Sequence, residues 1–124
     1  MIFVDRSIPR AVAQALKQVR NDVVWLEDCL PHNATDAQWL ALVGSSGWLA
    51  ITRDKKIRQR PGELNALLAS GVGCFILAQR QNLTRWDYLK LIASTLDEME
   101  ELFRITARPF IFGVYKTGAI MKIR

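Results

Sequence analysis

The sequence predicts an α/β fold: a three-layer α/β/α sandwich with a mostly parallel central sheet and a C-terminal β-hairpin at one edge. Three observations lead there. Short apolar runs alternate with stretches of helical periodicity in the order β-α-β-α-β-α-β-α-β-β. Residues 72–78, VGCFILA, are apolar throughout, as a strand buried on both faces requires. The last two apolar runs are joined only by Lys116-Thr117-Gly118, too short a link for anything but an antiparallel turn.

Residues 2–5, IFVD, form the first strand and end in an acid. In residues 8–20 the apolar positions Ile8, Val12, Leu16 and Val19 follow one face of a helix, with Ser7 as its cap and Pro9 in its first turn. Residues 22–27, DVVWLE, form a second strand. Thr35 and Gln38 have the spacing of a capping box, and the helix they open ends between Gly44 and Gly47. WLAIT, residues 48–52, is the third strand, followed by a basic loop at 53–60. Pro61 starts a short helix over 61–69, and the fourth strand covers 72–78. Thr84 caps a long helix to about Arg104, whose apolar stripe includes Trp86, Leu89, Leu91, Ile92, Leu96, Met99 and Phe103. Residues 109–115 and 118–123 complete the sheet. Right-handed crossovers are expected throughout.

The chain of 124 residues suffices for one domain, expected over 1–124. Half of it is hydrophobic and 23% charged, as in ordinary globular proteins. No apolar run reaches the ~20 residues of a membrane span, and Asp5 and Arg6 interrupt the N-terminus too early for a signal peptide. A cytoplasmic location and no membrane association are expected. One histidine, His32, and two distant cysteines, Cys29 and Cys74, argue against a zinc site and a histidine-based triad. The net charge of +5 favours a polyanionic partner. The charge is patterned: RDKKIRQR at 53–60 is basic, whereas DEMEE at 97–101 is acidic and reads as a solvated helix face.

In open α/β sheets, ligands bind at the edge formed by the strands' C-terminal ends. Asp5 ends the first strand, Asp36 opens the helix after the second, and Asp54 lies two residues past the third. Each has a simple structural role open to it. Asp5 can cap a helix, Asp36 suits the helix dipole, and Asp54 can pair with Lys56. Together at one edge, their repulsion calls for a cation. Mg2+ or Mn2+ takes carboxylate oxygens, activates water and stabilises charge on a phosphoryl group. Arg53, Lys55, Lys56, Arg58 and Arg60 stand ready beside Asp54 to hold flanking phosphates. Glu63, in the first turn of the next helix, is a lower candidate ligand. Glu27 and Asp28 also end a strand at this edge. The four tryptophans, Trp86 included, read as packing residues.

The stretches FVDRSIPRAVAQAL, TDAQWL and LAITRDKKIRQRPGEL resemble the PIN-like group that includes VapC-type toxins of toxin–antitoxin pairs. The resemblance runs from Ile2 to about Ala78. It implies a PIN-like fold and a divalent-metal-dependent endoribonuclease in which Asp5, Asp36 and Asp54 are the catalytic, metal-binding acids. It further implies RNA as substrate and an antitoxin covering this edge. The chain departs from the group in carrying Asp36 where many members have glutamate. It also has Lys55, Lys56 and Ile57 where a fourth acid often stands, leaving Glu63 as the substitute. A homodimer is a further expectation.

Two other readings compete. A non-catalytic nucleic-acid- or partner-binding module would use Arg53 to Arg60 on phosphate and its acids structurally. A receiver-like phosphoacceptor would use Asp54 and Lys116, but Asp5 is followed by Arg6 rather than by a second acid.

Overall fold

The computed structural model describes residues 1–54, 57, 59–78 and 83–124. Within them the chain runs β1 (Ile2–Val4), α1 (Arg10–Val19), β2 (Val23–Trp25), α2 (Leu26–Cys29), α3 (Asp36–Ser46), β3 (Leu49–Thr52), α4 (Pro61–Ser70), β4 (Gly73–Leu77), α5 (Arg85–Ile105), β5 (Phe110–Val114) and β6 (Ile120–Lys122). The strands form one sheet in the order β2-β1-β3-β4-β5-β6. All neighbours are parallel except β5 and β6, which form the expected antiparallel hairpin at the edge. The expected sandwich is therefore the observed one. No helix among the described residues is long and apolar enough to cross a membrane.

The alternation of side chains along the strands divides the core in two. Ile2, Val4, Leu49, Ile51, Phe75, Leu77, Phe110 and Phe112 pack beneath α1 and α5. Phe3, Ala50, Cys74, Ile76 and Ile111 pack beneath α3 and α4. Gly44 lets those two helices approach closely. A Cβ there would lie 2.1 Å from the carbonyl oxygen of Ser70, so no larger residue fits without moving α3 from α4.

Several expectations need correction. Glu27 and Asp28 lie in the short helix α2, not at a strand end. Ser7 does not cap α1. Pro9, with ψ 138°, holds the chain extended until Arg10, and no side chain caps the helix. Val19 is 81% exposed, past the last turn that faces the sheet. Trp86 is 64% exposed, because the core-facing side of α5 begins at Tyr88.

The crossovers are not all of one hand. The steps from β1 to β2 and from β4 to β5 run in opposite directions across the sheet, yet α1 and α5 cover the same face. Their hands are therefore opposite. The crossovers through α3 and α4 share the hand of the first, and only β4-α5-β5 reverses it. The aromatic side chains supply a reason. Phe75, Phe110 and Phe112 cluster on the α1 face, one pair stacked and two edge to face, with centroids 5.1–5.6 Å apart. The other face is already covered by α4. The 21 residues of α5 remove those rings from water.

At the N-terminal end of the sheet, Arg20 binds both oxygens of Asp22, at 2.9 and 2.8 Å, and Glu100 on α5 at 3.0 Å. Hydrogen bonding from Arg20 holds the Asp22 pKa below its ordinary value of 3.8. A depressed folded-state pKa adds stability that is complete above the unfolded value and disappears as pH falls through the folded one. Asp22→Asn is thus expected to lower stability in urea melts by about 0.5–1 kcal/mol at neutral pH, a modest figure because the pair is partly exposed. The difference from wild type should shrink as pH falls below the ordinary carboxylate range and Asp22 protonates.

Candidate metal centre at the sheet edge

The site is built from the ends of β1 and β3 and the starts of α3 and α4. Parallel strands place both ends on one edge, and each helix that follows a strand there returns from it.

Asp5, the first residue after β1, is 4% exposed. Its Oδ2 accepts hydrogen bonds from the hydroxyls of Ser7 at 2.7 Å and Thr52 at 2.8 Å. The backbone amides of the next strand's exit complete the network. Arg53 N donates to Ser7 Oγ at 2.9 Å, and Asp54 N donates to Thr52 Oγ1 at 3.0 Å. Each hydroxyl has one proton, already given to Asp5, so each is left to accept from an amide. The other oxygen, Oδ1, is buried and has no hydrogen-bond partner among the described residues. An unsatisfied buried carboxylate oxygen is costly, and such an atom calls for a function.

Asp36 opens α3. The predicted capping box is present: Gln38 N donates to Thr35 Oγ1 at 3.2 Å, and Thr35 N donates to Gln38 Oε1 at 2.8 Å. Trp39, fully buried and stacked on Phe3 with centroids 5.2 Å apart, donates its Nε1 to Asp36 Oδ1 at 2.8 Å. Arg6 donates to the carbonyls of His32 and Ala34 and so ties the loop before α3 to the end of β1. The Asp36 carboxylate is thereby oriented from inside the core.

Glu63 lies in the first turn of α4, where Pro61 begins the helix. Its carboxylate joins those of Asp36 and Asp54: each offers a ligand oxygen, and these atoms lie within 4.8 Å of one another. Asp5 is outside that group but only one hydroxyl, that of Thr52, away from the Asp54 backbone. Burial chiefly, with the Asp36 carboxyl beside it, pushes the Glu63 pKa up, against the lowering effect of Arg60. Arg60 itself reaches Glu63 at 2.7 Å and both Asp36 and Asp54 at 3.6 Å.

Of the basic loop, Arg53 stacks its guanidinium over Tyr88, 5.8 Å from the ring centre, and Arg60 turns toward the acids. Lys55, Lys56 and Arg58 lie outside the described residues. Lys116 belongs elsewhere: it lines a cavity of about 630 Å3 with Asp87, Lys90 and Ser94. His32 is exposed, and Cys74 is a buried thiol whose pKa burial pushes up.

The donor set is all oxygen and anionic, which suits a hard divalent ion and not zinc. The unpartnered Asp5 Oδ1 is an anionic acceptor of the kind a divalent cation takes. The residues present therefore fit a divalent metal ion. Sequence reading missed Ser7, Thr52, Arg6 and Trp39 as supports. The signal for two of them was present: Ser7 stands two residues after Asp5, and Thr52 two before Asp54.

A family model described as a PIN like domain matches residues 1–79, which span β1 to β4 and contain all four acids. No curated protein and no solved structure matches the chain.

Proposed function

Since the chain belongs to the PIN-like domain family, we propose that it is a divalent-metal-dependent endoribonuclease, the toxin of a toxin–antitoxin pair. PIN-like domains are usually nucleases. The observation that carries the reading is the convergence of Asp36, Asp54 and Glu63 beside the unpartnered Asp5 oxygen, with cationic side chains at hand.

In this reading Asp36, Asp54 and Glu63 would hold Mg2+ or Mn2+, and Asp5 would add its carboxylate beside them. When bound, the ion supplies an activated water and offsets charge on the phosphoryl group. Ser7 and Thr52 hold the Asp5 carboxylate in place by saturating its Oδ2. Trp39 does the same for Asp36 by occupying Oδ1. Arg53, Lys55, Lys56, Arg58 and Arg60 hold the RNA phosphates on either side of the scissile bond. The exposed ring of Trp86, with Lys90 6.0 Å from its centre, offers a base a stacking face. An antitoxin would cover the same edge.

The test is cleavage of labelled RNA by the purified protein. Products are expected with Mn2+ or Mg2+, none after chelation by EDTA, and full recovery when the ion is restored. Absence of cleavage with either ion overturns the proposal. One observation favours a second reading, a non-catalytic binding module: Arg60 already supplies the acids with a cation from the chain itself. RNA binding that is indifferent to EDTA, without cleavage, would establish that module instead.

A further inference from the structure

Arg60 reaches each acid of the cluster with one atom. Its Nη1 lies 2.7 and 2.8 Å from the two oxygens of Glu63, and 3.6 Å from both Asp36 Oδ2 and Asp54 Oδ2. These are the same three carboxylates whose oxygens group within 4.8 Å of one another. A Mg2+ ion takes carboxylate oxygens at about 2.1 Å. An ion so close to these oxygens and a guanidinium nitrogen hydrogen-bonded to them would have like charges crowded into one space. Both cannot keep those contacts.

From this we infer that Arg60 is an internal counter-ion which the divalent ion displaces, and that the released guanidinium then binds the RNA phosphate beside it. The inference rests on the metal-dependent reading above and assigns one residue two successive partners. Two features support the exchange. The Arg60 side chain is 46% exposed, so it can swing into water without disturbing the core. Both its hydrogen bonds to Glu63 run through Nη1, so no paired fork of hydrogen bonds anchors it there.

The exchange couples two binding events. An RNA phosphate that draws Arg60 away removes the ion's competitor, so RNA must tighten ion binding, and the ion must tighten RNA binding by the same factor.

Isothermal titration of the full chain with Mn2+, without RNA, tests the first half. Arg60→Gln is expected to bind Mn2+ roughly tenfold more tightly than wild type, because a competing charge is gone. Arg60→Lys, which keeps the charge without the fork, should fall between. Repeating the titration with a 2′-O-methyl RNA oligonucleotide, which resists cleavage, tests the second half. Wild-type Mn2+ affinity should rise, and that of Arg60→Gln should change by a smaller factor. Equal or weaker Mn2+ binding by Arg60→Gln overturns the exchange and leaves the ribonuclease reading standing. Failure of all three proteins to bind Mn2+ overturns both. Circular dichroism of each variant verifies that the fold is kept.

Discussion

Asp5→Asn is expected to reduce metal-dependent RNA cleavage by at least about 100-fold while the fold stays intact. The carboxylate has two oxygens in different situations. Oδ2 accepts from Ser7 and Thr52, and an asparagine carbonyl can take over both bonds. The amide nitrogen must then occupy the place of Oδ1, the buried oxygen without a partner. It brings protons where an anionic acceptor stood, so it repels a cation. The loss of one anionic ligand weakens charge stabilisation at the phosphoryl group by several kcal/mol. Stability should not fall, because the substitution removes a buried, half-satisfied charge and keeps the hydroxyl network. Cleavage assays at saturating Mn2+ and thermal melts of the metal-free proteins check both halves. Asp54→Asn should show a comparable loss of cleavage. Cleavage at the wild-type rate in both variants would exclude a catalytic role for these acids.

Substitution of Trp39 carries the largest expected cost in stability. Trp39→Ala removes the largest fully buried side chain and its stack on Phe3, and should cost about 3–5 kcal/mol in urea melts. Trp39→Phe separates packing from positioning. It retains a ring against Phe3 but loses the Nε1 donor to Asp36 Oδ1. The expected loss of stability is about 1–2 kcal/mol. Asp36 is then free to rotate, and Mn2+ affinity should drop about tenfold, as it does when outer supports of ligands are removed. An unchanged Mn2+ affinity in Trp39→Phe would show that Trp39 serves packing alone.

The elements were legible because their causes are local. The Thr35 and Thr84 capping boxes, Pro61 at the start of α4, and Gly47 with φ 70° at the end of α3 each act over a few residues. The apolar run of β4 announced a strand buried on both faces, and all of Gly73–Leu77 is buried. The acids at 5, 36 and 54 could be placed on one edge because parallel strands all end there. Where local cues conflicted, reading was poorer. Ser7 looked like a cap but is used by Asp5 and the Arg53 amide. Trp86 fits a helical stripe yet points to water, because the stripe's start depends on where α5 meets the sheet.

The sequence by itself determined the α/β sandwich, the hairpin edge and the position of Asp5 at the mouth of the parallel strands. These follow from periodicity, capping and strand direction, which neighbouring residues decide among themselves. Only the tertiary structure decided which acids meet. Glu63 joins Asp36 and Asp54 through the packing of α4 on α3, which Gly44 permits. Arg60 enters the cluster, and Asp5 keeps one oxygen unpartnered, for the same reason: distances between residues far apart in the chain depend on how the helices pack. The reversed crossover of α5 has that origin too, since the need to cover Phe75, Phe110 and Phe112 arises only once the sheet has formed.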